Sequence, residues 1–147
     1  MPYLSPVLSK YEQLGNSWSP PLRGAVLATL VNTLIYGLAV AAGVFTSFRF
    51  RPLAGGELTI GPILIASLAV PPLAFAAYRT LHGTRGTSYR TFRDSGWFAI
   101  LASLFLPLTF AAWSFSQVFA AQVMHVVVGI AALYGVSEWA NVSAERR

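Results

Sequence analysis

His125 stands inside the stretch "AAQVMHVVVGIAA" (120–132), the one ionisable side chain in a run otherwise as apolar as a lipid tail. An imidazole can ligate a metal, pass a proton, or hydrogen-bond between helices. In apolar surroundings it has to find a partner, because an unpaired polar group in hydrocarbon costs roughly several kcal/mol. Gln122, almost one helical turn earlier, shares its face and is expected to fix the imidazole tautomer. Three more polar side chains lie deep in other apolar runs: Asn32 and Tyr36 in "LVNTLIYG", and Ser67 in "LIASLAV". At 1.5 Å rise per residue and a core of about 30 Å, His125 and Tyr36 each fall about 12 Å below the outer face, with Ser67 at a similar depth and Asn32 one turn further in. These five residues are the candidate polar layer.

What chemistry such a layer supports is limited by what is missing. The chain has no cysteine, which removes disulfides, thiolate metal sites and iron–sulfur clusters. Its carboxylates, Glu12, Glu57, Asp94, Glu138 and Glu145, fall on separate polar segments, so neither a zinc nor a two-metal hydrolase site can be assembled from them. No Asp or Glu lies mid-run to complete a proton relay through His125 and Tyr36. A neutral imidazole is a competent axial ligand for a haem or chlorophyll-type metal, but a bis-histidine haem needs a second membrane histidine, and His82 sits in a polar loop. The expectation is therefore no metal, unless a tetrapyrrole binds His125, and no resident cofactor. The layer's leading role is helix–helix packing.

The elements that position these residues follow from charge-free length. With 55% hydrophobic and only 10% charged residues the composition departs from soluble proteins, and the distribution decides the matter. No residue is charged from Gly24 to Phe48, between Glu57 and Arg79, or from Ser95 to Ser137 apart from His125. A crossing takes about 20 apolar residues, so the first two runs are one crossing each and the third is two. The predicted fold is an all-α membrane protein: a four-transmembrane-helix bundle forming a single domain, with spans at 22–45, 60–80, 96–113 and 117–139 and an irregular arm over 1–19.

Local signals refine this. Ser19 and Pro20 suit a helix start. Between spans one and two, Phe48 to Arg51 alternate apolar with charged and Gly55–Gly56 supply a turn, which predicts a short external β-hairpin or, failing that, a loop. Pro71 and Pro72 should kink span two, and Pro107 should bend span three. The polar cluster "WSFSQ" (113–117) divides the last two spans. In span one, Ala25, Thr29, Thr33, Gly37 and Ala41 recur every four residues as a small-residue ridge for close helix packing, with Gly129 and Ala132 as a matching shallow patch. The first apolar run begins too late and runs too long for a cleavable signal peptide.

The formal charge of +5 does not point to nucleic acid, because the basic residues lie between apolar runs. With a cytoplasmic N-terminus, only Arg49 and Arg51 fall outside, as the positive-inside bias expects. Trp18, Trp97, Trp113 and Trp139 all land at span ends, where an aromatic belt sits. The chain is thus expected in the cell (inner) membrane with both termini cytoplasmic.

The stretches "LVNTLIYGLAVAAGV", "TFRDSGW", "LFLPL" and "VMHVVVGIAA" resemble an uncharacterised family of prokaryotic four-helix membrane proteins, a domain of unknown function, over most of residues 24–136. The resemblance implies the four-span fold and makes Asn32, Tyr36, Phe92, Pro107 and His125 the matching motif positions. It implies no activity. The leading functional expectation is a non-catalytic accessory or interaction subunit, or a small homo-oligomer, whose partners are the bilayer and a larger membrane complex or itself. The alternative is a binder or carrier of a lipid, quinone or tetrapyrrole.

Overall fold

The computed structural model describes residues 5–45, 59–109 and 113–144, with side chains from Trp18 to Ala140 within those stretches. It contains four helices: α1 (Ser5–Ala41), α2 (Ile60–Arg85), α3 (Tyr89–Ser103) and α4 (Phe115–Ala144), with a 3-10 turn at Pro107–Thr109. There is no strand among the described residues, and the predicted hairpin over 48–60 lies almost wholly outside them.

The helices alternate in direction. The start of α4 meets the end of α1, where Gln117 Nε2 donates to the Val44 carbonyl at 3.0 Å. The other end of α4 meets the early part of α1, where Arg23 pairs with Glu138 at 3.3 Å. α2 runs back alongside both, and α3 rises again against α4. Helices α1, α2 and α4 pack on one another, whereas α3 packs chiefly on α4.

The burial pattern is inverted relative to a water-soluble protein. Leu30, Leu34 and Leu38 of α1 are 64%, 63% and 62% exposed while Asn32 and Ser67 are fully buried. A surface of leucine over a buried amide and hydroxyl is stable only where the surroundings are apolar. Three helical stretches, Trp18–Ala41, Ile60–Arg85 and Phe115–Ala140, are long and apolar enough to cross a membrane.

The expected third span is the correction. In place of a bent helix over 96–113, α3 spans 15 residues and ends at Ser103, about 22 Å of helix against a core of about 30 Å. The cause is Pro107, whose ring clashes with the carbonyl four residues back, that of Ser103, and brings no N–H to it. The chain continues as turns and the Pro107–Thr109 3-10 segment. The bundle thus has four helices, of which three are long and apolar enough to cross a membrane.

The arm before span one is also corrected. Helix α1 begins at Ser5 and carries Pro20 and Pro21 inside it, so the proline pair does not mark the start. Pro21 is fully buried and sits against Gly135, where an added Cβ would lie 2.8 Å from the Pro21 Cα. Contact with α4 holds the helix where local propensity would interrupt it. α2 likewise runs unbroken through Pro71 and Pro72.

Helix ends are set by identifiable residues. Gly43 takes a left-handed φ of 72°, and the Val44 N–H reaches the Ala39 carbonyl while Gly43 N–H reaches Val40, a Schellman stop for α1. Gly86, φ 64°, closes α2 by the simpler left-handed cap, its N–H reaching the His82 carbonyl. Ser88 caps α3 by accepting from the Thr91 N–H. α4 opens on a capping box: Gln117 Oε1 accepts from Ser114 N–H at 2.9 Å and Ser114 Oγ from Gln117 N–H at 3.4 Å. Ser114→Ala is expected to lower stability in detergent by about 1 kcal/mol; an unchanged melting curve would show that the box contributes nothing.

Candidate functional site

Because α3 packs chiefly on α4, meeting α2 near its start where Tyr89 and Phe92 face Tyr78, a cleft of about 690 Å³ remains between α2, α3 and α4. One wall is a stripe of α2, Pro62, Ala66, Val70 and Ala74; the facing wall is Gly96, Ala99 and Ser103 of α3. Its floor is α4, with Met124, His125, Val128 and Gly129, and Asn32 of α1 behind. The volume lies within the range of ordinary small-molecule sites.

The polar residues on this floor are placed by defined bonds. Asn32 Nδ2 donates to Ser67 Oγ at 2.9 Å and to the Met124 carbonyl at 3.3 Å. A carbonyl only accepts, so the amide orientation is fixed and Oδ1 is the remaining atom; it is buried with no partner. Leaving it so costs about 1–3 kcal/mol. His125 is half-buried, and its Nδ1 lies 2.8 Å from the Ala121 carbonyl on its own helix. By the same reasoning Nδ1 carries the proton and, in the neutral ring, Nε2 holds a lone pair. The structure gives Nε2 no partner among the described residues.

Asn32, Ser67 and His125 therefore come together around Met124, although the register differs from the layer read from depth alone. Ser67 pairs with Asn32, one turn away from Tyr36. Tyr36 is fully buried but belongs to a cluster with Phe45, Ile63 and Met124, stacking on Phe45 at 5.1 Å between ring centroids. Gln122 does not set the imidazole tautomer: its Nε2 donates to the Leu104 carbonyl at 3.2 Å, where α3 has just ended and carbonyls lack helical donors. Backbone takes the role assigned to Gln122.

The small-residue ridge divides. Ala25 is buried, Thr29, Thr33 and Gly37 are half-buried at the edge of the packed face, and Ala41 is exposed. Thr29 and Thr33 return their hydroxyls to the carbonyls of Ala25 and Thr29, at 2.8 and 2.7 Å. The close helix approach is made instead by Gly24 of α1, where an added Cβ would stand 2.7 Å from the Ala131 carbonyl oxygen of α4. Gly129 serves a different neighbour: it admits Ile100 of α3, as Gly96 admits Leu133. These glycines let α3 sit close on α4 while the cleft stays open beside it.

Sequence reasoning missed the cleft walls. Ala66, Val70 and Ala74 repeat every four residues as the small-residue ridge does, which was the available signal. At the far end from Gln117, an aromatic group of Phe75, Tyr78, Phe92 and Trp139 closes the bundle, with Trp18 edge-on to Phe75 at 5.1 Å. No group of three or more His, Asp or Glu able to hold a metal occurs among the described residues.

The profile of DUF6069, described as a family of unknown function, matches residues 12–141. The chain belongs to the DUF6069 family. The match takes in all of α2 and α3 and most of α1 and α4, so the Asn32–Ser67 pair, His125 and both walls of the cleft lie inside the DUF6069 segment. Neither a curated protein nor a solved structure matches the chain.

Proposed function

We propose that this DUF6069 protein is an integral membrane protein that binds a lipid-soluble small molecule in the cleft between α2, α3 and α4, without itself catalysing a reaction. The supporting observation is the cleft: about 690 Å³, walled by small and apolar side chains, reaching His125 and lined in part by Asn32, whose Oδ1 has no partner. Helices that met only for packing would close over His125, which is half-buried, as they close over Tyr36 and Asn32. The accessory-subunit reading favoured by the sequence has no comparable feature behind it. The excess of Arg on the segments joining these helices supports an inner-membrane protein with both ends in the cytoplasm.

The test is to purify the protein in native-lipid nanodiscs and analyse what stays bound. A lipophilic compound retained at one per chain and displaced in Ala66→Phe is the expected result. A colourless, compound-free protein held stoichiometrically in a larger membrane complex would instead support the accessory role. A visible porphyrin or chlorin band lost in His125→Leu would make the occupant a tetrapyrrole.

A further inference from the structure

Three polar side chains lining the cleft, Asn32, His125 and Ser103, have committed their hydrogen-bond donors. Both Nδ2 hydrogens of Asn32 are committed, to Ser67 Oγ and the Met124 carbonyl. The His125 Nδ1–H is committed to the Ala121 carbonyl. Ser103, on the α3 wall, gives its hydroxyl to the Ile100 carbonyl at 2.7 Å. What these residues leave without a partner is a pair of acceptors: Nε2 of half-buried His125, on the cleft, and Oδ1 of Asn32, sealed beneath it. Ser95, the other wall hydroxyl, lies eight residues before Ser103 on α3, about 12 Å along the axis.

From this imbalance we infer that the occupant presents a neutral hydroxyl on an apolar body, an alcohol or phenol, and that the hydroxyl donates to Nε2 of His125. This deepens the proposed binding function and rests on it. A ketone, quinone or ether brings only acceptors and would face lone pair against lone pair. A carboxylate likewise brings only acceptors, and no Lys or Arg lies between Ser95 and Ser137 to pair with its charge.

Three probes with one body separate the alternatives: 2-naphthol, 2-methoxynaphthalene and 2-naphthoic acid, titrated calorimetrically into protein-loaded nanodiscs with empty nanodiscs subtracted. The expected result is 2-naphthol binding about fivefold to tenfold tighter than the ether. That margin disappears in His125→Phe, which still binds the ether and so reports an intact fold. In protein carrying 15N-histidine, the Nε2 resonance of His125 should move with 2-naphthol and not with the ether, with His82 as internal reference. Equal binding of naphthol and ether overturns the donor inference and leaves the cleft reading standing. Tightest binding by the acid overturns it in favour of a cationic imidazole. Failure of all three probes to bind, in protein that unfolds cooperatively, overturns the cleft reading and the donor inference with it.

Discussion

Gly24→Val is expected to destabilise the bundle by about 3 kcal/mol, the upper end of the range for overpacking a tight interface. The reason lies in what the new side chain would meet. At Gly24 an added Cβ stands 2.7 Å from the Ala131 carbonyl oxygen, which is backbone of α4 and cannot rotate away. α1 and α4 would have to separate, opening the contact of Pro21 with Gly135 one turn along and stretching the Arg23–Glu138 pair. Gly83→Val is the control, since a Cβ there has nothing within 4 Å. Thermal or denaturant unfolding in detergent reads both. Equal loss in the two variants would mean that valine acts through helix propensity and that the crossing is not tight.

The second large effect concerns binding. Ala66→Phe puts a ring into the cleft from the α2 wall, where a half-buried methyl now stands. Filling a void with apolar atoms does not strain a core that is empty there, so stability should hold or rise. Affinity for 2-methoxynaphthalene should fall tenfold or more, as the probe and the new ring compete for one volume (roughly 1.4 kcal/mol or greater). Calorimetry in nanodiscs measures the first quantity and detergent unfolding the second. Undiminished affinity in a folded Ala66→Phe protein would place the bound molecule elsewhere.

Much of the architecture was legible because hydrocarbon imposes a length requirement. Charge-free runs located α1, α2 and α4, and the polar break at 113–117 located the start of α4. The failures share a cause: each turned on a proline or a glutamine whose role depends on a neighbour not visible along the chain. Pro20 looks like a helix start unless α4 is known to cover Pro21. Pro107 suggests a bend, yet α3 stops four residues before it, at the Ser103 carbonyl that the proline ring would meet. Gln122 was given to His125 on the same face, whereas the end of α3 supplied an unsatisfied carbonyl at Leu104 that claimed it. The Ser114–Gln117 capping box, by contrast, stood in the sequence as S-x-x-Q and could have been found.

The candidate site was legible as residues but not as a space. Asn32, Ser67 and His125 are conspicuous as polar groups in oily runs, and they do converge. The cleft beside them exists because Gly96 and Gly129 draw α3 onto α4 while α2 pairs with α1 and α4. That choice of neighbours is a property of the assembled bundle.

Arg23 meets Glu138 across 115 residues of sequence, at 3.3 Å. Reporter groups placed at these two positions would therefore follow the approach of α1 and α4 as a single distance, short in the assembled bundle and lengthening as the two helices part.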